Sequence, residues 1–299
     1  MSWQLSAVEL WLRFVEKPYL AWEHDFGRAR QRLERAASRL RPPPGARLTC
    51  RPLGGLPAAR VEGPSRATLL WLHGGAYCLG SPRTHAAMVA HLARRIGGSA
   101  VLPAYRLAPE HPFPAAVEDA AAAYRALLAE GVDPGTLVLG GDSAGGGLVF
   151  ALLGQLGALG LPAPACVLAF SPWVDLTLAR PSLTELASRE SLLPVSRVTE
   201  IRDLYLAGAD PRDPRASPLF ADLAGAPPTL IQASEAEILR DDARALAEAL
   251  VRQGVDARLE LWPDTPHGWQ LYQEHVPEAD HALHRAAAFV RRRLGQPSR

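Results

Sequence analysis

The chain has 299 residues, 48% hydrophobic and 21% charged, with a formal net charge of +1, a composition that excludes disordered and fibrous classes and permits a sizeable core. So small a net charge gives no long-range field for nucleic acid or acidic lipid, and the arginine-rich stretches 28–41 and 291–293 read as solvated helix faces or a terminal tail. No stretch offers about 18 uninterrupted apolar residues, so no membrane span is expected.

Residues 1–17 mix Trp3, Leu5, Val8, Leu12 and Val15 with Glu9, Arg13 and Glu16. This is an amphipathic helical pattern, without the basic start and continuous apolar run of a signal peptide. Lys17 is the only lysine. Helical patterning continues to Leu40 and closes at the breaker formed by Arg41, Pro42, Pro43, Pro44 and Gly45. From about residue 47 onward, short apolar runs alternate with longer helical patterns. Residues 69–72, 100–103, 137–139 and 165–170 read as strands buried on both faces, and 229–232 and 257–261 as two more. Helices are expected over 85–96, 115–130, 144–159, 241–253 and 277–294. The alternation predicts an α/β fold with a mostly parallel central sheet flanked by helices.

Two stretches depart from the alternation: 1–45, and 176–223, where Pro181, Pro194, Pro211, Pro214 and Pro218 interrupt short helical pieces such as 198–206. They are expected to form a helical cap, the second as an insertion after the sixth strand, over a core of 46–175 and 224–299. Cys50, Cys78 and Cys166 are odd in number, widely spaced and set among apolar residues. They are expected to be buried free thiols, with no disulfide framework and no metal site, as suits a cytoplasmic protein.

Gly141, Asp142, Ser143, Ala144 and Gly145 match G-x-S-x-G, follow a strand and open a helix, as a nucleophile elbow requires. The Ala144 amide, at the helix start, is then a candidate oxyanion donor. The bland alternative is a glycine-rich turn whose serine only caps the helix. A phosphate loop is excluded because no lysine follows the glycines. His73, Gly74, Gly75 and Ala76 follow the strand 69–72 directly, and backbone amides approach a substrate carbonyl only where no Cβ intrudes. Gly74 and Gly75 are therefore the expected further donors. An activated serine also needs a base and an orienting carboxylate. His267 follows the last strand, in the order this chemistry requires, whereas His275, His281 and His284 fall on or beside the last helix. His24, His85, His91 and His111 precede the serine and are poorly placed. After the strand 229–232 stand four carboxylates, Glu235, Glu237, Asp241 and Asp242.

With its His-Gly-Gly-Ala-Tyr (73–77), Tyr-Arg-Leu-Ala-Pro-Glu (105–110), Gly-Asp-Ser-Ala-Gly (141–145) and Ser-Pro-Trp (171–173) motifs, the chain resembles the bacterial hormone-sensitive-lipase-like esterases over about residues 50–290. The resemblance implies an α/β-hydrolase fold and a serine carboxylesterase that needs no metal or organic cofactor. It selects Glu237 as the acid, with Glu235 as runner-up and Asp241 and Asp242 as first-turn residues of the next helix. Asp264 is expected to shape the histidine loop. Relatives have a third glycine where this chain has Ala76; at negative φ alanine fits the same backbone, so the oxyanion hole is expected to survive with a narrower pocket. Tyr77, Trp173, Leu193 and Trp269 are expected to line the pocket, with Trp11, Phe14, Trp22 and Leu192 as further apolar candidates.

Ser-Pro-Trp and the run 262–269 resemble short-chain esterases and ε-lactone hydrolases, so small to medium acyl esters or lactones are the expected substrates. Relatives also imply a homodimer built through the sheet edge. An amidase, acyltransferase or carbon–carbon bond hydrolase with the same triad is the alternative. A non-catalytic small-molecule receptor would be expected to lack the serine or the histidine.

Overall fold

The computed structural model describes residues 1–64 and 67–295; residues 65–66 and 296–299, which belong to the two expected core stretches, lie outside it. Its strands are β1 (Leu48–Cys50), β2 (Ala58–Val61), β3 (Thr68–Leu72), β4 (Ser99–Pro103), β5 (Leu137–Asp142), β6 (Cys166–Phe170), β7 (Thr229–Ser234) and β8 (Ala257–Trp262). They form one sheet in the order β1-β2-β4-β3-β5-β6-β7-β8. Strands from β3 to β8 pair in parallel, and β2 pairs antiparallel with both β1 and β4. All six strands read from the sequence are present. β1 and β2 escaped that reading because β1 is exposed throughout and β2 is a short run of alanines, Arg60 and Val61.

β3, β5, β6 and β7 are buried along their whole length, and their side chains divide by the two-residue period of a strand. Leu70, Leu72, Leu139, Val167 and Ala169 face α5 (Ala115–Ala129), α6 (Ala144–Leu153) and α9 (Arg240–Arg252). Leu69, Trp71, Val138, Leu168 and Phe170 face α4 (Pro82–Ile96) and α10 (Pro277–Arg293). Helices on both faces explain the continuous apolar runs. α4 starts three residues before its apolar periodicity because Ser81 and Thr84 form a reciprocal capping box. α6 stops at Leu153, short of the expected 159, where Gly154, Gly157 and Gly160 weaken the helix.

The N-terminal segment comprises α1 (Trp3–Trp11), a π-helical turn (Leu12–Glu16), α2 (Lys17–Trp22) and α3 (Phe26–Ala37), and the stretch 176–223 carries α7 (Ser182–Glu185) and α8 (Val195–Leu206). The two are laced together. Arg13 donates to the carbonyls of Ser188 (2.9 Å) and Arg189 (2.8 Å), Lys17 to those of Ala187 (3.3 Å) and Glu190 (2.7 Å), and Arg197 to Leu20 (3.1 Å) and Glu23. Trp3, Phe14 and Trp22 are exposed. No described helix is long and apolar enough to cross a membrane. Cys78 and Cys166 are buried and unpaired, but Cys50 is exposed because it sits on the edge strand β1, which corrects the expectation of three buried thiols.

Candidate active site

Between β5 and α6 the chain turns through Ser143 at φ 53° and ψ −122°, a conformation a side chain adopts only when its surroundings impose it. The surroundings do so. The Ser143 N–H donates to the Phe170 carbonyl on β6 (2.8 Å), and its own carbonyl accepts from Gly147 (3.1 Å) and Trp173 (3.0 Å). A Cβ on Gly145 would lie 2.0 Å from the Leu72 carbonyl oxygen, and one on Gly141 would lie 2.5 Å from that of Gly145. Both motif glycines are therefore required by close backbone approach, beyond any freedom of the turn itself.

Asp142, just before the serine, is buried beneath the turn. Its Oδ1 accepts from Trp71 Nε1 (2.9 Å) and its Oδ2 from His85 Nε2 (3.0 Å), while His85 Nδ1 meets Thr84 Oγ1 at 2.7 Å. Burial alone would raise the Asp142 carboxyl, but the charge and hydrogen bond of His85, with Trp71, hold it below the usual carboxylate range. His85, poorly placed in chain order to be the base, lies under the elbow.

The segment after β3 runs across this cluster. His73 is buried, stacks on Tyr105 with ring centroids 4.2 Å apart, donates from Nδ1 to the Gly74 carbonyl (2.8 Å) and accepts the Tyr105 hydroxyl at its own carbonyl (2.6 Å). Burial, reinforced by His85, pushes its pKa down to about 3, so it is a neutral strut. A Cβ on Gly74 would lie 2.2 Å from Asp142 Oδ2. Two expectations change here. The Gly74 N–H is directed into the buried cluster, toward the His85 ring that donates to Asp142, so its direction does not suit an oxyanion donor. Ala76 has φ 53°, between Gly75 at 123° and Tyr77 at 61°, so the alanine adopts a left-handed backbone and not the negative φ expected of it.

Glu237 and His267 stand beyond the ends of β7 and β8, which pair through Ser234 and Trp262. Ser234 Oγ donates to the Thr265 carbonyl (2.5 Å), and the Glu235 N–H donates to that of Trp262 (2.9 Å), so the two loops are fastened to each other. Glu237 Oε1 accepts the Ser234 N–H (2.8 Å) and Oε2 accepts His267 Nδ1 (2.5 Å), both side chains being buried. Burial alone would lower the His267 pKa. The hydrogen bond and charge of Glu237, with the charges of Glu190 and Asp142, outweigh it and hold the imidazole above its ordinary value. Glu235 is exposed. Asp241 accepts from the Ser182 N–H (3.0 Å), and Asp242 accepts from those of Val174 (3.1 Å) and Asp175 (2.9 Å), so both bind the root of the 176–223 stretch as well as opening α9. Asp264 accepts from Arg189 (2.8 Å).

Of the expected pocket residues, Trp173 lies next to the elbow through its N–H bond to Ser143, and Leu193 is half-buried. Tyr77 and Trp269 do not fit that role. Tyr77 is 1% exposed and stacked on Tyr205 at 3.8 Å; Trp269 is 0% exposed and packs with Leu5, Val276, Ala279 and Ala282. Trp11, Phe14 and Trp22 are exposed. Sequence reasoning missed Glu190, whose carboxylate reaches the turn after β7; no motif surrounds it. Trp71 and His85 likewise carried no signal beyond the apolar run and helix that contain them.

A family model described as an α/β hydrolase fold matches residues 69–271. The chain is 44% identical over 271 residues to an acetyl-hydrolase of Streptomyces hygroscopicus, covering 90% of this chain and 89% of that one. An esterase of Acinetobacter venetianus is 36% identical over 241 residues, covering 80% of each. The fold superposes with a TM-score of 0.94 and 41% identity on the crystal structure of an esterase from the bacterial hormone-sensitive lipase family, covering 99% of both chains.

Proposed function

Since the chain belongs to the α/β-hydrolase family, among the hormone-sensitive-lipase-like esterases, and is a carboxylic ester hydrolase, we propose that Ser143, His267 and Glu237 are its catalytic triad. The observation that carries this reading is the 2.5 Å bond from His267 Nδ1 to Glu237 Oε2, which commits one ring nitrogen and leaves Nε2 for the serine proton. Ser143 Oγ attacks the ester carbonyl as His267 Nε2 takes its proton. The tetrahedral oxyanion is held by amides of the elbow and of the segment after β3. Ala144 and Gly75 remain the expected donors, and the Ala76 N–H replaces that of Gly74, which is turned toward His85. Collapse expels the alcohol, which receives the proton from His267. Water, deprotonated by the same nitrogen, then releases the acid from the acyl-enzyme.

Short to medium acyl esters, acetyl esters first, are the proposed substrates, with lactones in the same range. The acetyl-hydrolase relative and the burial of Trp173 beside the elbow support a short acyl pocket. The contacts of Arg13, Lys17 and Arg197 support reading 1–45 and 176–223 as one cap on a core of 46–175 and 224–299. The buried free thiols Cys78 and Cys166 support a cytoplasmic location, and the edge strand β8 supports a homodimer. Turnover of p-nitrophenyl esters from acetate to decanoate, beside matched lactones and amides, tests the substrate range. Ser143→Ala tests the triad: loss of at least about a thousandfold in kcat is expected, and retained turnover in the pure variant refutes the reading.

A further inference from the structure

The stretch 188–193 touches three parts of the molecule that surround the proposed triad. Arg13 and Lys17 of the N-terminal segment donate to its carbonyls, Arg189 binds Asp264 in the loop that carries His267, and Glu190 reaches the loop that carries Glu237. Glu190 is 1% exposed. Its Oε1 accepts the N–H groups of Leu192 (2.8 Å) and Leu193 (3.1 Å), and its Oε2 accepts that of Ile238 (3.1 Å), the residue after Glu237. Among the described residues no cation is ion-paired with this carboxylate: Lys17 meets only its backbone carbonyl, at 2.7 Å. A buried carboxyl group without a direct ion pair is costly to keep, and apolar packing would fill the same space more cheaply.

We infer that Glu190 is a positioning residue for ester hydrolysis, which pins the Glu237 turn through Ile238 and adds a second fixed negative charge beside the His267 cation that forms during the reaction. The inference rests on the proposed triad. Three carboxylates act on His267: Glu237 in direct contact, Glu190 from the insertion and Asp142 from under the elbow. Of the cations near Glu190, Arg13 is bound to the carbonyls of Ser188 and Arg189, Arg189 to Asp264, and Lys17 to the carbonyls of Ala187 and Glu190, from where its charge acts on the Glu190 carboxylate without touching it. Its field at the imidazole is therefore not cancelled by a direct ion pair. This gives the insertion a part in catalysis separate from shaping the pocket.

Glu190→Gln and Glu190→Asp separate the two roles. The Gln variant removes the charge and forces an amide NH2 toward backbone N–H groups. The Asp variant keeps the charge and withdraws the carboxylate from Ile238. With p-nitrophenyl acetate, E190Q is expected to shift the acid limb of kcat/KM about half a pH unit downward and to lower plateau kcat roughly tenfold. E190D is expected to lower kcat at unchanged KM with the limb at its wild-type position. An unmoved limb in folded E190Q, with or without loss of kcat, overturns the inference. If E190Q does not fold, E190D decides: reduced kcat on an unmoved limb supports the role, and wild-type kcat or a shifted limb overturns it. S143A is measured alongside. Retained turnover there refutes the triad, whereas an inactive S143A with an unmoved E190Q limb refutes Glu190 alone.

Discussion

Glu237 binds His267 with one carboxylate oxygen and the end of β7 with the other, Oε2 to Nδ1 at 2.5 Å and Oε1 to the Ser234 N–H at 2.8 Å. The acid is thus oriented by the backbone that ends β7, and the histidine is oriented by the acid. Glu237→Gln keeps the shape but offers an amide NH2 to one of these two donors. It is expected to lower kcat by about 10³- to 10⁴-fold. Glu235→Gln, at an exposed position, is expected to stay within about twofold of wild type. Turnover of p-nitrophenyl acetate at pH 8 compares them, and equal losses would remove Glu237 from the role.

The His267 pKa predicts the direction of the pH profile. Glu237, then Glu190 and Asp142, raise it above 6.5 against the effect of burial. A general base works only when neutral, so kcat/KM is expected to fall with decreasing pH through a midpoint above 6.5. Measured between pH 5 and 9 on a neutral substrate, a midpoint below the ordinary imidazole value contradicts the arrangement.

Ala76 at φ 53° carries a backbone cost that glycine does not. Ala76→Gly is expected to stabilise the protein by about 0.5–1 kcal/mol, roughly 2 °C in melting temperature, once the greater freedom of unfolded glycine is set against the relief. A lower melting temperature would show that the alanine methyl has packing worth more than the strain.

Asp242 is a buried carboxyl that burial, opposed by the Val174 N–H and reinforced by Asp175, pushes up to about 8. Because its folded pKa lies above its unfolded one, its stabilising contribution is complete below about pH 4 and is lost as pH rises through about 8. Asparagine can accept the same two N–H bonds, which both go to Oδ1, and has no proton to lose. Asp242→Asn is therefore expected to gain stability relative to wild type as pH rises from 4 to 8. Urea denaturation at several pH values checks it, and a pH-independent difference would sink the prediction.

The sheet was legible wherever both faces are covered, because burial writes continuous apolar runs such as Leu69 to Leu72. It was illegible at β1, where exposed Leu48, Thr49 and Cys50 have no face to bury. The residue types of the site were legible because a strained serine turn and a close backbone approach admit few alternatives, as Gly141 and Gly145 illustrate. The direction of the Gly74 N–H is set beside His85 and Asp142 from elsewhere in the chain, which a local motif does not contain, and the positive φ of Ala76 is a backbone choice that its residue type argues against. Aromatic type alone misled at Trp269, where large apolar area serves the junction of α1 and α10.

Lys17, the only lysine, has its ammonium seated on the carbonyls of Ala187 and Glu190, where burial lowers its pKa against the pull of Glu190. Immobilisation through amine-reactive resins would then have two targets, the chain's amino terminus and a group whose acylation dislodges the strap carrying Glu190. Coupling through the exposed thiol of Cys50, on the opposite sheet edge from β8, anchors the enzyme to a support while leaving that contact untouched.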